Sequence, residues 1–280
     1  MEFRPLRLED QAWIRRCRDT QVHPFTALSF PSLFSWRRTY GFTVAGDTDF
    51  FVIRSVSDGG FYCPCGDTEK CLAFLDRLEA PAKVLYLTER QAELLEVRGW
   101  TIGHRDDLSE YIVSTAAEAL REGHISKSFR DKCRHFKKQY SYTVVPPGPE
   151  QKQAMRDMLT MLHMDPREEV MGDLNVLSTE IEYGDAMGMQ SYLLQTDGGG
   201  NALFIGYENS PDMFTMTMVK HDPTLPPETT AVCVHELALK LDGKYATMNL
   251  EEDLGLEGLR RAKELYSPMF RLEVYEAIKR

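Results

Sequence analysis

The predicted secondary structure of this chain repeats, and this repetition limits the possible folds more than any other feature of the sequence. Each half begins with helices, continues with strands joined by a tight turn, and ends with helix, strand, helix and strand. The turn segments 57–60 and 197–201, both rich in Asp and Gly, lie between alternating segments, which is the pattern of β-hairpins. The sequence therefore predicts an α+β fold of two tandem units, each a mixed, mostly antiparallel sheet flanked by helices.

The two predicted units meet near residue 118, just before a basic helix, so that they comprise residues 1–117 and 118–280. A strand near 110–113 is expected to end the first unit, and a strand at 269–275 is expected to end the second. A proline-rich segment at 146–149 is interpreted as a stiff loop inside the second unit. We expect the first unit to be mainly structural and the second to carry the functional site.

Composition and charge exclude several classes of protein. The chain has 280 residues and no run of about 18 apolar residues, and its amino terminus lacks the apolar core of a signal peptide. We therefore expect a cytoplasmic protein without stable membrane insertion. Six scattered cysteines are too few for a disulfide scaffold and are expected to be free thiols. The sequence gives no indication of the oligomeric state.

One basic segment departs from the acidic average. The net charge of −10 argues against a protein that coats nucleic acid over its whole surface. Between residues 121 and 138, however, seven Lys or Arg face two acids, a local charge of +5. Lys127 and Arg130 in this segment are candidates for contacts to an anionic ligand such as a phosphate or an RNA end. The alternative is a solvated helix face.

The run from Asn249 to Lys263 is the strongest candidate for a functional site. It follows a short alternating strand, and the carboxyl ends of strands in open α/β sheets are where ligands bind. Three successive acids, Glu251, Glu252 and Asp253, repel one another, which raises a carboxylate's pKa and suits a general base. We predict that one or two of them hold and deprotonate an amine-bearing substrate.

Other residues of this run have two possible roles each. Asn249 is a candidate for substrate binding, but Asn249 and Glu252 also match a helix capping box. Arg260 and Lys263 are three residues apart on a helix, so they are placed to grip one anion together. The alternative is that these cations only add positive charge to the carboxyl end of a surface helix.

Metal and nucleotide motifs are incomplete in this sequence, and we expect neither a metal nor a cofactor. The pair His235-Glu236 resembles the start of a zinc-protease helix, but Leu239 stands where the second histidine is required. Cys63, Cys65 and Cys71 lack a fourth ligand nearby. No glycine-rich phosphate loop of the mononucleotide or dinucleotide type occurs.

Three blocks of sequence carry a resemblance to a known family that covers most of the chain. They are the run 248–263 with Tyr-Ser-Pro at 266–268, the aromatic block at 33–40, and Glu110-Tyr111 before the basic helix. The chain resembles the bacterial family of uncharacterised proteins related to the carboxyl-terminal domain of phosphatidylglycerol lysyltransferase. The resemblance implies a tandem pair of acetyltransferase-like (GNAT-like) units and the transfer of an aminoacyl group from aminoacyl-tRNA to an amine or hydroxyl acceptor.

A weaker similarity links the segment 258–263 to peptidoglycan bridge-forming aminoacyltransferases, which have a Gly-Leu-x-x-Phe-Lys block. That resemblance implies a place for Lys263 near phosphates or the reacting carbonyl. Acetyltransferases of this superfamily hold coenzyme A with a glycine-rich loop, whereas 222–231 has three prolines and no glycine. We therefore expect an aminoacyltransferase with aminoacyl-tRNA as a partner. The alternatives are a noncatalytic module that binds a small molecule or a partner, and an acyl-CoA-dependent N-acyltransferase.

Overall fold

The computed structural model describes residues 1–20, 25–120, 126–145, 148–163 and 168–280, which form an α+β protein with two mixed sheets. The strands are β1 (Arg4–Pro5), β2 (Thr43–Asp47), β3 (Phe50–Ser55), β4 (Gly60–Tyr62), β5 (Cys65–Gly66), β6 (Ala82–Leu87), β7 (Thr101–His104), β8 (Glu110–Ser114), β9 (Tyr142–Val145), β10 (Met189–Thr196), β11 (Asn201–Ser210), β12 (Met213–His221), β13 (Thr247–Asn249), β14 (Phe270–Leu272) and β15 (Tyr275–Lys279). The helices are α1 (Gln11–Thr20), α2 (Phe30–Tyr40), α3 (Thr68–Asp76), α4 (Glu89–Glu96), α5 (Thr115–Leu120), α6 (Lys127–Gln139), α7 (Pro149–His163), α8 (Glu168–Met187), α9 (Glu228–Leu241) and α10 (Glu257–Glu264).

The first unit comprises Met1–Ser109 together with Leu272–Arg280. Its strands lie in the order β1-β2-β3-β4-β6-β15-β7, with β5 paired to β3. Only β4 and β6 run parallel among the pairings described, and α3 makes the crossover between them. The sheet is mixed and mostly antiparallel, as the sequence predicts.

The second unit comprises Glu110–Arg271, and its strands lie in the order β14-β8-β13-β12-β11-β10-β9. β12 and β13 are parallel, with α9 as the crossover. One face of the sheet packs its apolar side chains, Phe204, Phe214 and Met248 among them, on α5, α6 and α9. α7 and α8 also pack on β10. Because strand residues alternate between faces, the polar neighbours of Met248 on β13 point away from that core.

Two strands are exchanged relative to the predicted units. β8, expected at the end of the first unit, pairs with β13 in the second sheet, where Tyr111 and Val113 join the core under α9. The chain beyond residue 269 forms two strands, and the second of them, β15, lies between β6 and β7 with Ala277 buried. Local alternation predicts that a segment is a strand, but the buried surface available to it decides which sheet it joins.

Three further findings concern the segments between these elements. The long helix α8 has no counterpart in the sequence prediction. Pro146 and Pro147 of the predicted stiff loop, and Arg121 at the start of the basic segment, lie outside the described residues. In the described part of the chain no helix has the length and apolar character needed to span a bilayer.

Candidate functional site

The acidic run forms a long turn between β13 and α10 at the carboxyl end of a central strand. Its backbone enters the left-handed region twice, at Glu251 (φ 62°) and at Leu254 (φ 54°), which is uncommon for residues with a side chain. α10 begins only at Glu257, and its N-cap residue, Leu256, offers no side-chain cap. The predicted capping box of Asn249 and Glu252 is therefore wrong, because the helix starts eight residues after Asn249.

Asn249 instead closes a tight polar turn around Glu251. Its Oδ1 accepts a hydrogen bond from the backbone N–H of Glu251 (2.7 Å), and its Nδ2 donates to the buried carboxylate of Glu110. The backbone of Tyr111 donates to Glu251 O (3.1 Å) and accepts from Leu250 N (2.9 Å). Strained backbone held by surrounding contacts is a recurrent feature of functional sites. These bonds fix the position of Glu251.

Asp253 is the anchor of the turn. Its side chain is fully buried and accepts hydrogen bonds from Tyr111 Oη (2.6 Å), Arg260 Nε (2.9 Å) and Gly255 N (2.8 Å). Burial raises the pKa of Asp253, but these hydrogen bonds and the charge of Arg260 lower it by more, so that the pKa lies below its ordinary value. Asp253 is thus an ionised carboxylate that ties the turn to β8 and α10.

Glu251 and Lys263 form a half-buried pair whose pKa values are both shifted toward the neutral forms. Burial raises the pKa of Glu251 well above its ordinary value, and the charges of Glu252 and Glu110 add to this effect. Lys263 and a hydrogen bond from Thr217 oppose the rise. Burial lowers the pKa of Lys263 despite the surrounding acids. Its Nζ donates to Leu250 O and therefore lies over the turn.

Arg260 and Lys263 do share one face of α10, and both turn back toward the acidic turn. Each has a partner within the protein: Arg260 bonds to Asp253, and Lys263 bonds to the backbone of Leu250. Two cations also lie near the ring of Tyr111, Lys263 Nζ at 6.0 Å and Arg271 Cζ at 4.9 Å from its centroid. The arrangement can accept a proton at Glu251 and present a cation within the same small volume.

With this geometry established, comparison with known proteins identifies the family. Residues 20–278 match the family described as phosphatidylglycerol lysyltransferase, C-terminal. This chain belongs to that family. No curated protein matches it.

Solved structures show the same fold. A conserved protein of unknown function from Bacteroides thetaiotaomicron is 23% identical, with a TM-score of 0.87 and 100% of both chains covered. L-PGS from Bacillus licheniformis is 14% identical, with a TM-score of 0.58 and 92% of each chain covered. FemX is 10% identical, with a TM-score of 0.63 and coverage of 100% of this chain and 98% of that one. The predicted fold of two α+β units, each with a mixed and mostly antiparallel sheet, is thereby confirmed. Through its family, the chain is related at this coarse level to aminoacyltransferases.

The predicted basic helix is α6, and its amino-terminal end lies beside the carboxyl-terminal end of α10. Ser126, the N-cap of α6, donates from Oγ to Leu265 O (2.6 Å), and the rings of Phe129 and Tyr266 pack edge to face. Lys127 in the first turn is exposed, and Arg130 is half-buried. Their predicted contacts to an anionic ligand stay a prediction.

Three residues of the cluster were not predicted as members of a site. Glu110 and Tyr111 come from β8, and Thr217 comes from β12, so all three reach the turn across the sheet. For Glu110 a signal existed in the sequence, since a carboxylate in an otherwise apolar strand is rarely buried without a polar partner. Thr217 carries no such signal.

The motifs set aside in the sequence have ordinary structural places. His235 is buried in α9, and its Nδ1 lies 2.9 Å from Glu118 O. Cys63, Cys65 and Cys71 are buried free thiols, and burial raises the pKa of Cys63 well above its ordinary value. Across the described ranges, no group of three or more His, Cys, Asp and Glu side chains is placed to hold a metal ion.

Proposed function

We propose that this protein transfers an aminoacyl group from aminoacyl-tRNA to an amine or hydroxyl acceptor. Membership of the phosphatidylglycerol lysyltransferase C-terminal family supports the aminoacyltransferase class. The observation that carries the proposal is the pairing of Glu251, whose pKa is raised, with Lys263 at the carboxyl end of β13. A carboxyl group whose pKa is raised is suited to exchange protons with an amine substrate.

In the proposed reaction Glu251 is the general base. It accepts a proton from the acceptor amine, whose lone pair then forms a bond to the carbonyl carbon of the aminoacyl ester. The carbon–oxygen bond to the tRNA ribose then breaks, and Glu251 returns the proton to the ribose oxygen, which leaves as a hydroxyl group. Lys263 is placed to stabilise the negative charge that develops on the carbonyl oxygen, the role that preorganised cations and donors have in acyl transfer.

The remaining predicted residues divide into positioning and contact roles. The pKa of Asp253 is lowered and its carboxylate accepts three hydrogen bonds, so Asp253 is less suited than Glu251 to act as the base. Its hydrogen bond with Arg260 holds the turn against α10. Asn249 positions the backbone of Glu251. Glu252 adds negative charge beside Lys263 and favours a cationic acceptor. Lys127 and Arg130 stay our candidates for contacts to phosphates of the donor.

The start of α9 supports aminoacyl-tRNA rather than an acyl-CoA as donor. In an acyl-CoA site, free backbone amides at a helix start face the pyrophosphate. Here Pro226 and Pro227 have no amide hydrogen, and the next amides are used locally: Thr229 N donates to Pro226 O (2.9 Å) and Thr230 N to Pro227 O (3.4 Å). This end of α9 therefore offers few donors to a pyrophosphate.

The test is a transfer assay with a set of aminoacyl-tRNAs that carry a radiolabelled amino acid, combined with acceptor amines and glycerol-containing lipids. We expect the labelled amino acid to appear on an acceptor, and Glu251→Gln to lower the rate by about 10²- to 10⁴-fold. Glu89→Gln, which changes the exposed first residue of α4, is the matched control and should leave the rate unchanged.

Two results would contradict this function. If the protein binds amines but transfers nothing from any aminoacyl-tRNA, it is a noncatalytic binding module. If transfer occurs only from acyl-CoA donors, the donor assignment is wrong.

A further inference from the structure

A β-bulge interrupts the strand that lies beside the acidic turn. On β12, Met216 lies opposite Gly206 of β11, and Met218 lies opposite Ile205. Because Gly206 and Ile205 are adjacent, Thr217 is the extra residue of the bulge. Glycine is required at position 206, since an added Cβ would overlap a backbone oxygen of β12. Bulges re-aim side chains and are frequent next to active sites.

The apolar core shows that the bulge changes the alternation of β12. Phe214 and Met216 belong to the core, but the next residue of β12 that packs against it is Val219 rather than Met218. The side chains of a regular strand alternate between faces, so one extra residue moves the alternation by one position. The residues between Met216 and Val219, Thr217 among them, therefore lie on the face opposite the core.

Strand register brings Thr217 to Glu251. β12 and β13 run parallel, and Thr215 lies opposite Asn249. Thr217 and Glu251 each follow this pair by two residues, so they lie beside one another where β13 ends. The hydroxyl of Thr217 donates a hydrogen bond to Glu251. This bond favours the ionised carboxylate and opposes the rise that burial causes in the pKa of Glu251.

A second hydroxyl on the same face of β12 provides a contrast. Thr215 is fully buried, and its Oγ1 has no hydrogen-bond partner among the residues that the structure describes. Thr215 lies between the core residues Phe214 and Met216, so it shares the face of Thr217. Of these two threonines, Thr217 is the one that donates to Glu251.

We propose that Thr217 is a positioning residue for the general base. Its hydroxyl engages one oxygen of the Glu251 carboxylate and fixes the rotation of that group, so that the other oxygen faces the acceptor amine. Transfer of a proton requires such an orientation, which is why a correctly held base accelerates the reaction. The inference rests on the proposed function, since it takes Glu251 as the base, but the hydrogen bond has a consequence that is measured without transfer.

The first experiment follows the ionisation of Glu251 by carbon-13 NMR, in the full chain labelled at the side-chain carboxyl of glutamate. Glu251→Gln assigns the resonance. Thr217→Val should raise the pKa of Glu251, because the variant lacks the donor to the ionised form. Thr217→Ala, a second variant without the hydroxyl, should move the titration in the same direction. Thr217→Ser keeps the hydroxyl and should titrate as the wild type does, and so should the matched control Thr215→Val.

The second experiment measures aminoacyl transfer by the same variants with one acceptor amine. Thr217→Val should lower kcat by about tenfold and leave the KM of the acceptor unchanged, the pattern expected when a hydrogen bond to a charged group acts in the transition state. Thr217→Ser should recover most of the rate. Thr215→Val should transfer at the wild-type rate, because it removes a hydroxyl that contributes no hydrogen bond.

The two readouts separate this inference from the proposed function. The positioning role is overturned if Thr217→Val leaves either the titration of Glu251 or the rate of an active protein unchanged, or if Thr217→Ser behaves as Thr217→Val does. If the titration shifts as expected but the wild type transfers nothing, the proposed function fails, whereas the hold of Thr217 on the Glu251 carboxylate stands.

Discussion

The two units contain the same strand-to-helix junction, and the difference between the two junctions shows how this fold acquires a site. β6 in the first unit and β13 in the second each run parallel to one neighbour and antiparallel to the other. Each is followed by a helix of eight residues, α4 after β6 and α10 after β13. The scaffold is the same, so the side chains decide what each junction does.

The inward positions of the two helices differ in chemistry. The fourth and seventh residues of α4 are Ala92 and Leu95, both buried apolar residues. The fourth and seventh residues of α10 are Arg260 and Lys263, which turn toward Asp253 and the acidic turn. One junction buries apolar area, which stabilises the unit. The junction between β13 and α10 instead surrounds the end of β13 with charged side chains.

The turns before the two helices differ in the same way. Tyr86 near the end of β6 has φ 60°, and Glu251 just after β13 has φ 62°, so both junctions contain a left-handed residue. Tyr86 packs on the ring of Tyr62 with centroids 4.6 Å apart, whereas Glu251 is a carboxylate beside Lys263. The same backbone irregularity presents an aromatic ring to a core in one unit and a carboxylate to a cluster of charges in the other.

The largest expected effect comes from making α10 resemble α4. Lys263→Leu should lower the rate of aminoacyl transfer by about 10²- to 10³-fold, because it removes the cation that stabilises the developing oxyanion. Steady-state kinetics measures this loss, and the near-ultraviolet circular dichroism spectrum should still be that of a folded protein. A variant that transfers at the wild-type rate would show that Lys263 only balances the charge of the acids.

The reciprocal change should affect stability rather than transfer. Leu95→Lys places an ammonium group in the apolar contact of α4 and should lower the free energy of unfolding by about 3 kcal/mol. Urea denaturation checks this value. Leu95→Met, which keeps the volume and the apolar character, is the control and should cost less than about 1.5 kcal/mol. Equal costs for both variants would mean that the site tolerates charge.

The sequence predicts most elements because their signals are local. The hairpin of β10 and β11 follows from alternation on both sides of an Asp-Gly turn, and α9 follows from its apolar spacing. The exchange of β8 and β15 between the sheets was not predictable from local sequence. β8 pairs with β13, more than 100 residues away along the chain, and β15 pairs with β6, nearly 200 residues away. α8 was missed as well; its sequence contains Gly172 and Gly184, which weaken a helix prediction.

The candidate site shows the same division. The density of charge from residue 249 to 263 predicts that the turn is unusual, and the structure brings Glu251, Asp253 and Lys263 together there. The role of Asn249 was ambiguous because an Asn side chain that accepts a backbone N–H serves a tight turn as well as a helix cap. Glu110 and Thr217 lie far away in the sequence, and only strand pairing brings them to the turn.

Two buried acids, Asp10 in the first unit and Glu118 in the second, should respond oppositely to pH. In the first unit, Asp10 bonds to Arg4 (2.7 Å); burial raises the pKa of Asp10, but that bond and others bring it below its ordinary value, so its contribution is lost only as the pH falls. In the second unit, burial raises the pKa of Glu118 to about 8. Because this pKa exceeds the value near 4.5 of an unfolded glutamate, stability falls as the pH rises from about 4.5 to about 8.

Glu118→Gln tests this second response. Between about pH 5 and about pH 7 the wild type should lose about 2 kcal/mol more unfolding free energy than the variant, since one unit of pKa difference corresponds to about 1.4 kcal/mol. Urea titrations at several pH values measure the difference. Parallel pH profiles for the two proteins would show that Glu118 is not protonated in the folded state.

The smallest effects concern the helix caps. Thr88 and Gln91 form a capping box at the start of α4, whereas Leu256 at the start of α10 provides no side-chain acceptor and is exposed. Thr88→Ala should lower the unfolding free energy by about 1 kcal/mol.

Leu256→Ser supplies the missing acceptor in an extended backbone conformation and should raise the unfolding free energy by about 0.5 kcal/mol. If the gain in stability accompanies a fall in transfer rate, the uncapped helix start is part of what the second junction needs for its chemistry; if the rate is unchanged, the missing cap has no role in the site.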